Sequence, residues 1–89
     1  MNIEFEQRKA AANLKKHGVS FDEAATSLLD PMALVREDDD ALDEVRFVAV
    51  GMSNAGRLLA VCYTLRNTET IRLISARKAT TNERRQYES

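Results

Sequence analysis

The chain of 89 residues has little of what many catalytic centres are built from. It contains one cysteine, one histidine and one proline, and no tryptophan. A single cysteine cannot form a disulfide within the chain, and a single histidine excludes a two-histidine metal site. No stretch has the pattern of a phosphate-binding loop, a dinucleotide-binding turn or a Ser-His-Asp array. The sequence therefore predicts neither a cofactor nor a bound metal.

Long apolar runs are missing as well. The longest covers residues 58–63, whereas a membrane-spanning helix needs about 20 residues. The first residues also lack the apolar core of a secretion signal. We therefore expect no membrane interaction and a cytoplasmic location. Cys62 lies inside this run, where we expect a buried structural thiol.

The length and the charge pattern limit the classes of function. We expect a single domain over residues 1–89, with little room for a closed cavity, so its ligand should be a macromolecule that lies across an open face. Residues 19–44 hold nine acidic side chains and one basic, whereas residues 45–89 hold eight basic and three acidic. Two interpretations stay open: a well-solvated surface of mixed sign, and a face that binds a polyanion.

The predicted architecture is α+β. Helical spacing covers residues 7–17 and ends at Gly18, and a capping box at residues 20–23 begins a second helix that ends at about Leu29. A similar capping pattern at residues 80–83 predicts a short C-terminal helix. Strands are predicted at residues 32–35, 45–50, 57–65 and 70–76, with an exposed acidic loop at residues 36–44. We expect a three- to four-stranded antiparallel sheet with two N-terminal helices and one short C-terminal helix.

The residues that could bind phosphate are strand arginines, namely Arg57, Arg72 and Arg77. If residues 66–68 form a three-residue hairpin loop, Leu65 opposes Glu69 and Arg57 lies opposite Arg77. A two-residue loop would instead place Tyr63 beside Arg72. Either register predicts neighbouring guanidinium groups that can hold phosphate oxygens bidentately.

Each candidate also has a purely structural explanation. The arginines could pair with acidic side chains of residues 37–44 and only shape the fold. His17 is the one side chain of a type whose unperturbed pKa, about 6.5, suits proton transfer, but a histidine before a helix-ending glycine also complements the helix dipole. Lys9 is most simply a solvated helix residue, and Tyr63 a core residue with its hydroxyl at the rim.

Several blocks of the chain resemble the BrnT family of bacterial toxins. The stretch KAAANLKKHGVSFDEA at residues 9–24 is similar to the family pattern K-A-x-x-N-x-x-K-H-G-V-S-F-E-E-A. Further blocks follow in family order, namely DP at 30–31, RFVAVG at 46–51, GRLLAV at 56–61, IRLISARKA at 71–79, ER at 83–84 and Tyr87. The chain departs from the family at Phe5 and Glu6, where members usually have Trp-Asp.

The resemblance implies a small ribonuclease with a RelE-like fold, the toxin of a type II toxin-antitoxin pair. It implies an RNA substrate and a BrnA-type antitoxin with a ribbon-helix-helix domain, through which alone the toxin would contact DNA. Cleavage by the RNA's own 2'-hydroxyl would need no metal, and Arg57, Arg72 and Arg77 would stabilise the phosphate because arginine stays protonated. The proton carriers would then be His17, Lys9 or Tyr63.

A function of another class remains open at this point. The chain could be an interaction module that binds the antitoxin and supports repression of its operon without cleaving RNA. For the toxin, we expect Arg57, Arg72 and Arg77 to converge on one exposed patch near the C-terminal helix. We expect the antitoxin to cover that patch with acidic side chains.

Overall fold

A mixed β-sheet lies at the centre of the computed structural model, which describes residues 1–40 and 43–89. The strands are β1 Asn2–Glu4, β2 Leu34–Glu37, β3 Phe47–Met52, β4 Leu58–Leu65 and β5 Thr70–Lys78, and the helices are α1 Gln7–His17, α2 Phe21–Ser27 and α3 Thr81–Glu88. Across these ranges the sheet has five strands in the order β1-β5-β4-β3-β2. The α+β class is confirmed, and the strands from β2 to β5 pair antiparallel as expected.

The predicted strand count is wrong because β1 adds a parallel strand beside β5. Ile3 pairs with Ile71 in this ladder. At three residues with one half-buried side chain, β1 is too short for its alternation to predict a strand. The acidic loop is also shorter than expected, since β2 extends through Arg36 and Glu37. Residues 41–42 of that predicted loop lie outside the described residues.

The two N-terminal helices meet at a corner without a loop. Gly18 ends α1 with φ 70°, a left-handed conformation that glycine adopts without strain. Ser20 then caps α2 by accepting a hydrogen bond from the amide of Glu23. The predicted capping box is thus half formed, because the Glu23 carboxylate binds Ser53 and Arg57 instead. None of the helices in the described ranges has the length and apolarity to cross a membrane.

Strand β4 is covered on both faces, which suits its continuous apolar sequence. Its odd-numbered residues Leu59 and Val61 are fully buried against the cluster that includes Phe21 of α2. Its even-numbered residues Leu58 and Ala60 belong to a second cluster on the other face, with Tyr87 of α3 packed against it. The sheet therefore has an α1/α2 face and an α3 face.

The buried amide of Asn13 joins α1 to the free edge of β5, beyond the end of β1. Its Nδ2 donates to the carbonyl of Ala76 at 2.9 Å, and its Oδ1 accepts from the amide of Ala76 at 3.0 Å. The same Nδ2 donates to the carbonyl of Val19 at 2.9 Å. The side chain thus takes the place of a neighbouring strand at this point of the edge.

On the other face, Glu83 of α3 ties its helix to the sheet. Its Oε1 accepts from the Thr80 amide at 2.8 Å and from Arg77 Nη1 at 2.7 Å, while its Oε2 accepts from Arg77 Nη2 at 3.0 Å. The side chain is 11% exposed. Chiefly through the hydrogen bonds from Arg77, the pKa of Glu83 falls from 4.5 to about 2.

Asn13→Ala should lower the free energy of unfolding by about 3 kcal/mol, since it leaves a buried amide and two buried carbonyls without partners. Urea unfolding followed by circular dichroism measures this loss. Asn67→Ala is the matched control, because Asn67 is exposed and accepts one hydrogen bond within a turn. A loss in Asn13→Ala no larger than that in the control would contradict the bracing role of Asn13.

Glu83→Gln should lower the free energy of unfolding by about 2 kcal/mol at pH 7, because it removes an almost buried ion pair. A carboxyl whose pKa is lowered on folding stabilises above its unfolded pKa, and this contribution disappears as the pH falls through the folded value. The difference between wild type and variant should therefore be constant above about pH 5.5 and shrink toward pH 2. A difference that does not change with pH would show that the charge of Glu83 is unimportant.

Candidate functional site

Arg57 lies on the α1/α2 face and fastens the helical corner to the β3–β4 turn. Its Nε donates to Glu23 Oε2 at 2.9 Å, and its Nη2 donates to Glu23 Oε1 and to the Gly18 carbonyl. The Glu23 side chain is 14% exposed, and the Arg57 hydrogen bonds lower its pKa. Ser53 donates a further hydrogen bond to Glu23 at 2.7 Å. In this geometry Arg57 serves the fold.

Arg72 and Arg77 lie on the opposite face of the sheet. In the β4–β5 ladder Arg72 pairs with Thr64 and Arg77 with Ala60, both on the α3 face. Leu65 opposes Ile71, so both predicted hairpin registers are wrong. The expected convergence of the three arginines is wrong too, because Glu23 and the Gly18 carbonyl hold Arg57 on the α1/α2 side.

The acidic partners of these arginines differ from the predicted ones in two of three cases. Arg72 approaches Glu44 at 3.3 Å. Glu44 is one of the acidic residues 37–44 that the purely structural explanation gave as partners of the arginines. Arg77 binds Glu83 instead, and Arg57 binds Glu23. Of the three arginines, Arg72 alone is therefore held by the acidic segment.

Tyr63 does not face Arg72 either. It points to the α1/α2 face, where its ring stacks on Phe47 with 5.6 Å between the ring centroids. Partial burial raises the pKa of the Tyr63 hydroxyl, which makes it a poorer base at neutral pH. The position of Tyr63 matches its interpretation as a core residue with its hydroxyl at the rim.

Lys9 and His17, by contrast, come together. They lie four residues before and four residues after Asn13, so all three project from one side of α1. Together with Lys16 they line a shallow depression of about 230 Å³ between α1 and β5, whose strand wall is Ile74 and Ser75. A lysine pair and the only imidazole of the chain thus border one groove.

The groove adjoins the arginine face at a β-bulge. The ladder shifts register between Cys62 and Tyr63, because Tyr63 pairs with Leu73 and Cys62 with Ser75, which leaves Ile74 as the extra residue. Ser75 lines the groove and lies two residues from Arg77, about 7 Å along the strand. The lysine and imidazole groups of α1 thus border β5 at Ser75, and the guanidinium group of Arg77 belongs to the same strand two residues further on.

Two further arginines, Arg36 and Arg46, border the same face and were missed from the sequence. The predicted strand at residues 32–35 ends one residue before Arg36, so a slightly longer strand would have included it. In the structure Arg36 pairs with Val48, which pairs with Cys62. Cys62 is half-buried rather than buried as expected, and burial raises the pKa of its thiol. In the described part of the chain no three His, Cys, Asp or Glu side chains cluster in a way that could hold a metal ion.

Comparison with known proteins agrees with this architecture. The model of the BrnT family, described as the ribonuclease toxin of a type II toxin-antitoxin system, matches residues 5–83. The crystal structure of the ribonuclease toxin BrnT from Brucella abortus superposes with a TM-score of 0.70 and 26% sequence identity, covering 91% of this chain and 99% of that chain. Among curated proteins none shows significant similarity. Because the family model covers most of its length, the chain belongs to the BrnT family of ribonuclease toxins.

Proposed function

We propose that this toxin cleaves single-stranded RNA without a metal, on the surface formed by the α1–β5 groove and the adjoining α3 face. The observation that carries the proposal is the shared groove of Lys9 and His17, which meets the arginine-bearing strand at Ser75. An open groove suits a chain molecule better than a small metabolite. The titratable groups that border it are two lysines and one imidazole.

The chemistry assigns a role to each group. Attack by the 2'-hydroxyl on the adjacent phosphorus needs a base for the hydroxyl proton and an acid for the leaving 5'-oxygen. His17 and Lys9 are the proton carriers within reach of one groove. Arg77 and Arg72 stay protonated. Arg77, which Glu83 holds in place two residues from the groove, stabilises the additional negative charge of the phosphorane through its charge. Arg72, held by the partly exposed Glu44, binds a neighbouring phosphate on the same face.

Arg57 and Tyr63 have no part in this proposal. Neither residue lines the α1–β5 groove. Arg57 is held by Glu23 at the β3–β4 turn, and Tyr63 packs on Phe47. Removing Arg57 would leave the nearly buried Glu23 carboxylate unpaired, which costs stability whatever the activity. A loss of toxicity in Arg57→Ala would therefore carry no information about catalysis.

The partner we propose is a BrnA-type antitoxin with a ribbon-helix-helix domain, through which the complex contacts operator DNA. An inhibitor of this surface would place acidic side chains along Lys9, His17 and Arg77 and bury apolar area around them. A stable interface of this kind needs about 1,200 Å² or more. The pair would act in the cytoplasm, where RNA and operator DNA are both present.

Lys9→Met and His17→Gln should each slow cleavage by about a hundredfold or more, which is the usual contribution of a general acid or base. The assay is cleavage of a fluorescently labelled RNA by purified toxin, with and without EDTA, followed by analysis of the product ends. We expect 2',3'-cyclic phosphate ends and no effect of EDTA. Thermal midpoints should stay within a few degrees, since surface changes cost under about 0.5 kcal/mol.

The matched control is Lys15→Met, which removes a lysine from another side of α1. An unchanged rate in Lys9→Met or His17→Gln would contradict the role of that residue, and loss of cleavage in EDTA would contradict metal independence. Expression of the wild-type chain alone tests the toxin itself. Growth arrest with degraded RNA supports it, whereas normal growth with abundant folded protein would support the non-catalytic interaction module.

Lys9→Met should also weaken antitoxin binding, by less than it weakens cleavage, because the apolar contacts of the interface remain. Calorimetry of the purified pair at two salt concentrations measures this change, again with Lys15→Met as the control. We expect an affinity that depends only partly on salt. An unchanged antitoxin affinity in Lys9→Met would show that the antitoxin covers a different surface.

A further inference from the structure

On the α3 face, two glutamates each lie between two arginines. Glu83 contacts Arg77 at 2.7 and 3.0 Å and approaches Arg36 at 3.5 Å. Glu44 approaches Arg46 at 3.4 Å and Arg72 at 3.3 and 3.4 Å. Charge-assisted hydrogen bonds are usually about 2.7 to 2.9 Å long. Glu83 is therefore firmly bound, whereas Glu44 is loosely held.

The two glutamates also differ in what else they do. Glu83 is 11% exposed and caps α3 through the amide of Thr80. Glu44 is 32% exposed, lies outside the helices and strands, and makes its side-chain contacts in the described part of the chain with Arg46 and Arg72. Displacing Glu44 would cost little of the fold.

The backbone, and not Glu44, sets the spacing of Arg46 and Arg72. Arg72 pairs with Thr64 in the β4–β5 ladder, and the Thr64 hydroxyl donates to the Val45 carbonyl at 2.7 Å. The carbonyl of Arg46 itself accepts from the Asp38 amide at 2.8 Å. The backbone positions from which the two arginine side chains extend are thus fixed by hydrogen bonds in which Glu44 takes no part.

Glu44 also leaves the hydrogen-bonding capacity of this pair incompletely used. The Nε of Arg72 is buried and has no partner, although Glu44 lies against the same guanidinium group. A phosphodiester brings oxygens in a tetrahedral arrangement and a full negative charge, which suits two guanidinium groups better than one planar carboxylate does. A site suited to phosphate but occupied by a carboxylate explains both the long contacts of Glu44 and the unpartnered Nε of Arg72.

We propose that Arg46 and Arg72 form a binding site for a backbone phosphate of single-stranded RNA, and that Glu44 occupies this site until the RNA displaces it. The site lies on the same face as Arg77, so it would bind a phosphate beside the one that reacts. It rests on the proposed function only in taking RNA as the ligand. Glu44 then acts as an internal competitor that weakens the binding of short or poorly charged ligands.

The test is fluorescence anisotropy with a 2'-O-methyl oligonucleotide, which the toxin can bind but cannot cleave by 2'-hydroxyl attack. Glu44→Gln should bind about three- to tenfold more tightly than wild type, because the amide keeps the shape and removes the competing charge. Arg46→Gln should bind more weakly and reduce the slope of log affinity against log salt by about 0.7, the value for one phosphate contact on a single strand.

Two control variants separate this site from general charge effects. Asp43→Asn changes the same charge one residue away, and Arg85→Gln removes an exposed arginine of α3. If Asp43→Asn tightens binding as much as Glu44→Gln, or Arg85→Gln changes the salt slope as much as Arg46→Gln, the proposal is overturned. Because the oligonucleotide is not cleaved, these results stand whether or not Lys9 and His17 prove to be catalytic.

Discussion

The pairing of one buried side-chain amide with one peptide group determines where the candidate site lies. Asn13 makes both hydrogen bonds that a neighbouring strand would make to Ala76, and a third to Val19 beyond the helix end. This bond set fixes both the position of α1 along β5 and its rotation about its own axis. Lys9 and His17, one turn on either side of Asn13, consequently face the groove. A small shift of this amide would move both together.

The ion pairs of Glu23, Glu83 and Glu44 differ in how deeply the carboxylate is buried and how firmly arginine holds it. Glu23 and Glu83 are nearly buried, accept bidentate hydrogen bonds and have lowered pKa values. Each joins a helix to the sheet, and breaking either would leave a charge with little access to water. Glu44 is half-exposed and loosely bound. An arginine that holds such a carboxylate remains available to an external anion, so Arg72 can serve a substrate where Arg57 cannot.

The sequence predicted local structure well because the signals are local. The bounds of α1 and the cap at Ser20 follow from residues within a few positions of each other. The register of β4 and β5 could not be predicted, because the bulge at Ile74 shifts every pair beyond it by one residue and has no signature in the sequence. That shift and the turn length decide which residues oppose Arg72 and Arg77. The side of the sheet that Arg57 takes depends on where α2 packs.

The sequence analysis named Lys9 and His17 as candidates but did not predict that they share a groove. His17 and Lys9 were named separately, although their eight-residue spacing around Asn13 already places them on one side of a helix. The signal for the groove was therefore present in α1, and what was missing was the strand that forms its other wall. Arg46 was missed although it lies inside the predicted strand at residues 45–50, where alternation already places it on one face with Val48 and Val50.

The order of charges along the chain becomes an arrangement in space through the sheet. Asp38 follows β2 and Glu44 lies shortly before β3, both close to the α3 face, which also bears the arginines of β5. Acidic and basic segments that are far apart in sequence thus meet on one face, which agrees with a surface of mixed sign, while the binding of a polyanion there stays a prediction. A net charge of -1 does not oppose RNA binding, because a polyanion responds to the local field of the face it touches. On that face the carboxylates are held by arginines, and in the proposed site the affinity for RNA depends on how firmly Arg46 and Arg72 hold Glu44.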